Sequence, residues 1–309
     1  MTTPVRAAVR SRGPWELALE RLRHDRAAKI AAATIAVFVL IALVAPVFAK
    51  LTGHGPAEQF LRIGLSAEGV PTGPSRRFLL GTDGLGRDLL VRIVYGTRVS
   101  LLVGLLASGF AVLIGTVIGI AAGWYGGVVD RVLSRAMDVF LALPFLVFAL
   151  ALVAVVGSGL AISVTVIAMF SWASVARIVR AQTLSIRELE YVQAARLLGA
   201  SHARIMFVEI LPNVTATVIV YTTLLIPGAI VAEATLSFLG LSVVPPSPSW
   251  GNILADAMAY YRIAWWFVFF PGAALLASTL AFNILGDSVR DALDPKRDQG
   301  LAGTREAAT

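Results

Sequence analysis

The stretch Val99–Val129, VSLLVGLLASGFAVLIGTVIGIAAGWYGGVV, lies without a charge between Arg98 and Asp130 and decides the class of the fold. A helix needs about 20 mainly apolar residues to cross a hydrocarbon layer roughly 30 Å thick, and this run is longer. Its glycines recur every four residues on one helix face, and small residues at that spacing let membrane helices approach closely. We therefore predict a closely packed membrane-spanning helix, with its contact face at Gly115, Gly119 and Gly123.

The rest of the chain has the same character. Of its 309 residues, 57% are hydrophobic and 15% charged, against about 25% charged in soluble domains. The formal net charge of +7 fits basic loops that meet anionic lipid better than nucleic-acid binding. The absence of cysteine excludes disulfides and thiolate metal sites.

Uncharged runs between charged residues mark the predicted spans. The run from Asp138 to Arg177 is long enough for two spans, and Gly157-Ser158-Gly159 reads as the turn between them. Because an open sheet edge cannot lie in lipid, we predict an all-α integral membrane protein with six transmembrane helices. Its predicted parts are an N-terminal tail (1–29), a first span (30–49), an extracytoplasmic loop with an interfacial helix (50–98), a five-helix core (99–286) containing a cytoplasmic loop (177–213), and a C-terminal tail (287–309).

The distribution of Lys and Arg sets the predicted orientation. The side that holds both termini and loop 177–213 carries 18 of the 26 basic residues, and the other side carries 8. The positive-inside rule places both termini in the cytoplasm, although long outer loops such as 50–98 obey it less strictly. The first run exceeds the core of a cleavable signal, so we expect it to remain as a span. The polar tails 1–14 and 295–309 are expected to be mobile.

Segment 185–213 is predicted to be a pair of short helices. Ser185 and Glu188 fit a capping box, Gly199 suits the left-handed residue that ends a helix, and Ser201 can cap the next helix before Pro212 interrupts the pattern. One face carries Tyr191, Ala194, Ala195 and Leu198, at helical spacing. From spacing alone this face could dock a partner protein or lie on lipid headgroups.

Glu233 and the outer turn each have two possible roles. Glu233 ends the fifth predicted span, where it could face a pathway near the outer gate or sit in the headgroup zone. The turn formed by Asp83, Gly86, Arg87 and Asp88 could be ordered by local hydrogen bonds or meet an external protein. Kinks are predicted at three prolines, Pro144, Pro227 and Pro271. An aromatic belt is predicted at Trp265 and Trp266. The scattered histidines His24, His54 and His202 are predicted to be surface residues.

Three separated motifs resemble one family. Gln193-Ala194-Ala195, then Gly199 and Leu211-Pro212, resemble the EAA loop of binding-protein-dependent ABC importer permeases. Two further motifs resemble the dipeptide/oligopeptide branch of this family, in particular its second permease. They are Leu80-Gly-Thr-Asp-Gly-Leu-Gly-Arg-Asp88 and Glu233-Ala-Thr-Leu-Ser-Phe-Leu-Gly-Leu241. Gln193 stands where the family has an acid, which leaves a hydrogen bond rather than a salt bridge available there.

The resemblance implies a transport subunit that is not an enzyme. It implies a second homologous permease, two ATPase subunits that bind ATP and Mg²⁺, an extracytoplasmic solute-binding protein, and no cofactor on this chain. It implies dipeptides or oligopeptides as solutes, with nickel chelates and glutathione as relatives' solutes. The implied coupling residues are Tyr191, Gln193, Ala194, Ala195, Leu198, Gly199 and Pro212.

The rival functions lack the residues they need. No lysine follows a glycine, so the chain has no P-loop. An ion-gradient-driven secondary transporter would need several charges within its spans and usually inverted repeats. An intramembrane enzyme would need a convergent catalytic site, and the sequence contains neither HExxH nor GxSxG.

Overall fold

The computed structural model describes residues 14–293, and within that range the chain is helical with no sheet. The helices are α1 (Pro14–His24), α2 (Arg26–Thr52), α3 (Leu89–Tyr125), α4 (Gly127–Ala142), α5 (Phe145–Val156), α6 (Leu160–Ile186), α7 (Glu190–Leu197), α8 (His202–Arg204), a π-helical segment (Ile205–Ile210), α9 (Leu211–Phe238), α10 (Trp250–Ala257) and α11 (Trp265–Leu293).

Five helices are long and apolar enough to cross a membrane: α2, α3, α6, the continuous stretch His202–Phe238 and α11. The third predicted span, between Asp138 and Gly157, corresponds instead to α4 and α5, which meet at an angle of 91°. Pro144 stands at the break, as the residue before α5, which confirms a kink at this proline. The predicted class, an all-α integral membrane protein, is confirmed.

The glycine face of α3 packs against α6 as predicted. A Cβ built on Gly115 would lie 2.7 Å from the carbonyl oxygen of Trp172, and one on Gly119 would lie 2.6 Å from that of Ala176. A Cβ on Gly123 would lie 2.6 Å from the Cβ of Thr183. These glycines therefore let two helix backbones meet at a distance that no other residue permits.

Helix α3 begins before the predicted span. The sequence suggested an interfacial helix within the outer loop 50–98, but Leu89–Tyr125 is a single helix of 37 residues. Leu89, Ile93 and Val94 are buried against other parts of the protein rather than lying on a membrane surface. Arg98 therefore lies within this helix and does not mark its start.

The two ends of the described chain lie together. The Arg21 guanidinium donates to the carbonyl oxygen of Ala292 (3.1 Å), and the Ser288 hydroxyl donates to the Asp25 carboxylate (2.9 Å). Helix α11 continues to Leu293, past the predicted end of the core at 286. Both ends of the bundle are therefore on one side, as an even number of spans requires. Most of the predicted mobile tails, 1–13 and 295–309, lies outside the described residues.

Candidate functional site

The loop between α6 and α9 differs from its predicted boundaries at both ends. Ser185 does not cap a new helix, since it lies in the last turn of α6, where its hydroxyl donates to the carbonyl oxygen of Ala181 (3.3 Å). Helix α7 starts only at Glu190, after Leu189 at its N-cap. At the other end Pro212 interrupts nothing, because it occupies the first turn of α9, where its missing N–H costs little. A π-helical segment joins α8 to α9 instead.

The turn between α7 and α8 has the predicted chemistry. Gly199 has φ of 81°, in the left-handed region that favours glycine, and the amide of Ala200 donates to the carbonyl oxygen of Ala195 (3.1 Å). The Ser201 hydroxyl accepts the amide of Arg204 at 3.3 Å and so caps α8. Both predictions are confirmed, and the helix pair has a defined turn.

Apolar packing fixes the base of this helix pair. Val192, Ile205 and Ile210 are buried in one cluster with residues from the ends of α3 and α6. This cluster explains why the loop is structured: its inner face removes apolar surface from water, at roughly 25 cal/mol per Å².

Side-chain hydrogen bonds tie the same base to neighbouring helices. The indole of Trp124 at the end of α3 donates to Nδ1 of His202 (3.0 Å), and Arg187 donates to the carbonyl oxygen of Gly123 (2.9 Å). The side-chain amide of Gln193 donates to the backbone carbonyl oxygen of Arg187 (3.0 Å). Gln193 thus makes a hydrogen bond in place of a salt bridge. His202 is exposed, as predicted for a surface histidine, and its ring is hydrogen-bonded as well.

The outer face of α7 is apolar and exposed. Leu197 and Leu198 are 89% and 88% exposed, and Tyr191 is 42% exposed. Partial burial, and the nearby carboxylate of Glu209, raise the pKa of the Tyr191 phenol, so this face stays uncharged at neutral pH. We call Tyr191, Ala194, Leu197 and Leu198 the coupling face.

The observed face differs from the predicted one at two residues. Ala195 is half-buried and packs inward against the cluster at the base, so it does not belong to the exposed face. Leu197, which the spacing argument omitted, is the most exposed large apolar side chain of the described residues. Helix α7 ends at Leu197, and Leu198 is its C-cap, so both leucines project at its tip.

The predicted outer turn is a rigid structural element. The Asp83 carboxylate is fully buried, accepts the amides of Leu85 (2.9 Å) and Arg87 (3.0 Å), and pairs with the guanidinium groups of Arg87 (2.6 Å) and Arg92 (3.1 Å). Gly86 makes the turn possible with φ of 70°. These contacts favour the structural alternative for this motif over the docking one.

Asp88 and Asp256 extend the same network. Asp88 caps α3 by accepting the amides of Leu90 (2.9 Å) and Val91 (3.3 Å), and its other oxygen contacts Nδ1 of His54 (2.6 Å). Asp256 of α10 lies 3.3 Å from Arg87, and its partial burial raises the pKa of its carboxyl group against the opposing effect of the nearby arginines. His54 is therefore largely buried, contrary to the prediction of a surface histidine.

Glu233 is buried inside the protein. Its side chain is fully buried, and it accepts hydrogen bonds from the hydroxyl groups of Ser100 (2.8 Å) and Ser237 (2.6 Å). It lies five residues before the end of α9, about 8 Å along the helix. In this conformation Glu233 links Ser100 of α3 to Ser237 near the end of α9.

The two tryptophans have different surroundings. Trp265 is 58% exposed, in keeping with a belt position. Trp266 instead packs on the outer turn, where its indole donates to the carbonyl oxygen of Thr82 (3.4 Å) and leaves no room for a Cβ at Gly81. Among residues 14–293, His, Asp and Glu side chains do not gather into a metal site.

Comparison with known proteins identifies the architecture. Residues 115–299 match the family model described as binding-protein-dependent transport system inner membrane component, and residues 13–65 match the N-terminal TM domain of oligopeptide transport permease C. A solved structure of the MetNI methionine ABC transporter in inward-facing conformations is similar with a TM-score of 0.53 at 18% identity. The match covers 67% of this chain and 96% of the MetNI chain. At this identity the similarity shows the fold alone.

Curated relatives cover nearly the whole length. The di/tripeptide transport system permease protein DppC of Pseudomonas aeruginosa is 44% identical, over 84% of this chain and 86% of the relative. The dipeptide permease DppC of Alkalihalophilus pseudofirmus is 40% identical over 92% of this chain and 90% of the relative. The glutathione permease GsiD of Pectobacterium atrosepticum is 38% identical over 96% of this chain and 95% of the relative. The chain therefore belongs to the family of binding-protein-dependent transport system inner membrane components, as a permease subunit of an ABC transporter.

Proposed function

We propose that this chain forms half of the pathway of an ATP-driven importer of small peptides, and that its coupling face docks on a separate ATPase subunit. The observation that carries this proposal is the coupling face itself. Two leucines almost fully exposed at the tip of α7 stand on a base fixed by buried side chains and hydrogen bonds. An exposed apolar tip on a rigid base is suited to transmit movement from a partner.

The energetics fit docking better than solvent exposure. Burying one leucine side chain contributes roughly 1.5–3 kcal/mol, so Leu197 and Leu198 can both act as anchors in a partner's cleft. The base of the helix pair is continuous with α3 and with the stretch that leads into α9. A displacement of α7 by the partner would therefore move two spans together.

The peptide assignment rests on the relatives. Relatives 44%, 40% and 38% identical carry names of di/tripeptide, dipeptide and glutathione permeases, and these solutes share amide bonds and free carboxylate and ammonium groups. The proposed partners are a second permease, two ATPase subunits that bind ATP and Mg²⁺, and an external solute-binding protein. The charge distribution supports a cytoplasmic position for both termini and for the coupling face.

Paired substitutions test the docking step. Leu198→Asp places a charge at the tip of the coupling face, and we expect it to abolish co-purification of the ATPase subunits and peptide uptake in cells. Leu61→Asp, at a leucine 58% exposed in the outer loop, introduces the same charge elsewhere and should leave ATPase association unchanged. ATPase association that survives Leu198→Asp would overturn the proposal.

A further inference from the structure

Two cavities lie side by side where α3 ends beside α7. Each has a volume of about 280 Å³. One is polar and lies between the end of α3 and the α7–α8 pair, and the other is an apolar groove between α3 and the stretch from Met206 to Leu211. Tyr125, the last residue of α3, lines both. The two cavities therefore adjoin at one residue and form an amphipathic site.

The apolar groove has the dimensions of one membrane leaflet. It follows α3 from Leu113 to Tyr125, and twelve residues of helix rise about 18 Å. That length is slightly more than half of the roughly 30 Å hydrocarbon layer. Apart from the hydroxyl groups of Thr116 and Tyr125, its lining is apolar, and its outer rim is formed by the exposed side chains of Leu113, Val117 and Phe207.

The polar cavity is suited to an anion. Arg196 lines it, and within the described residues this guanidinium has no hydrogen-bond or ion-pair partner. Arg187 also lines it and is already bonded to Glu188 (2.9 Å) and to Gly123. Arg196 is exposed, and the carboxylate of Glu188 also lines the cavity but is paired with Arg187. Arginine is a common phosphate ligand because its planar donors match phosphate oxygens.

His202 adds a second donor to this cavity. An indole N–H can only donate, so its bond to Nδ1 of His202 requires that Nδ1 be the acceptor. The neutral imidazole then carries its proton on Nε2, which is a hydrogen-bond donor. The cavity thus combines the positive charge of Arg196 with a neutral N–H donor, next to an apolar groove.

We propose that the two cavities together bind one anionic phospholipid, with its phosphate at Arg196 and His202 and an acyl chain along α3. This inference deepens the proposed function, since it places the lipid in the leaflet on the side of the coupling face. Basic pockets between membrane helices on the cytoplasmic side bind anionic headgroups in this way. The lipid would lie against both α3 and the base of α7, so membrane composition would affect the coupling loop.

Native mass spectrometry of the purified transporter complex tests the proposal. The complex would be titrated with phosphatidylglycerol or phosphatidylcholine in detergent. We expect phosphatidylglycerol to bind more tightly, and Arg196→Gln to weaken it about five-fold, the effect of one basic residue near a lipid phosphate. Arg135→Gln, at an arginine 82% exposed on α4, is the matched control and should leave the affinity unchanged.

A second variant tests the groove. Ala121→Phe fills the groove beside Tyr125, and we expect it to weaken both lipids while the complex stays assembled. The proposal is overturned if Arg196→Gln and Arg135→Gln have equal effects, or if Ala121→Phe leaves phosphatidylglycerol binding intact. It is also overturned if inorganic phosphate binds the complex and phosphatidylglycerol does not, since the polar cavity would then hold a soluble anion. Separation of the two permeases by Ala121→Phe would overturn it too, since the groove would then hold a partner helix.

The lipid titration needs neither ATP nor peptide. Lipid selectivity can therefore fail while ATPase docking at Leu198 holds, and the reverse, so the two proposals are tested separately.

Discussion

Replacing Gly119 with alanine tests the packing of α3 on α6. The added Cβ would lie 2.6 Å from the carbonyl oxygen of Ala176 and 2.8 Å from the Cβ of Val179. Ordinary van der Waals contact begins at 3.4 Å, so the two helices would have to separate locally by about 0.8 Å, the difference between 3.4 and 2.6 Å. The nearest atom belongs to the backbone of α6 and cannot rotate away.

Gly109 of the same helix provides the matched control, because a Cβ there meets nothing within 4 Å. Both substitutions gain the same helix propensity, about 0.5–1 kcal/mol, so this contribution cancels in their difference. The remaining overpacking should make Gly119→Ala less stable than Gly109→Ala by about 1–3 kcal/mol.

The assay is equilibrium unfolding of each purified variant in mixed micelles, followed by far-ultraviolet circular dichroism. We expect Gly109→Ala to be as stable as the parent protein or slightly more stable. Equal free energies of unfolding for the two variants would refute the close backbone contact between α3 and α6.

Three further substitutions test the polar contacts. Asp83→Asn leaves two buried arginines without their carboxylate and should cost about 3–5 kcal/mol in unfolding, whereas Asp256→Asn, at a side chain 49% exposed, should cost less. Glu233→Leu leaves two buried serine hydroxyl groups without an acceptor, at about 1–3 kcal/mol each, and Glu233→Gln should recover part of that loss in the same assay. Trp124→Phe removes the hydrogen bond to His202, worth about 0.5–1.5 kcal/mol, and should speed amide hydrogen exchange in the helix that carries the coupling face.

Each of these expectations has a contrary outcome. Similar losses for Asp83→Asn and Asp256→Asn would show that the buried carboxylate is not the centre of the outer network. A Glu233→Leu variant as stable as the Gln variant would remove the role of the serine contacts. Unchanged exchange in Trp124→Phe would mean that packing alone fixes the base of the coupling loop.

Features that depend on local chemistry were predictable from the sequence. The glycine face of α3, the left-handed Gly199 and the Ser201 cap each follow from what one residue type permits in one backbone conformation, and all three occur. The membrane class follows from composition in the same direct way.

Features that depend on tertiary partners were not predictable. Charged residues predict span ends, but Arg98 lies inside α3. Glu233 is buried inside α9, because serine hydroxyl groups bind it. The inward position of Ala195 and the role of Trp266 also arise from contacts with distant segments. A proline in a sequence predicts a kink but not its angle, so the break of 91° near Pro144 was not predictable.

Cross-linking from the coupling face tests the central claim most directly. The chain contains no cysteine, so Leu198→Cys provides a unique thiol at the tip of α7, and Leu61→Cys provides one in the outer loop. With a maleimide–amine cross-linker added to the assembled transporter, the account predicts a covalent product with the ATPase subunit from position 198 and none from position 61. A thiol at position 198 that reacts with a membrane-impermeant maleimide outside intact cells, or that never joins the ATPase, would contradict it.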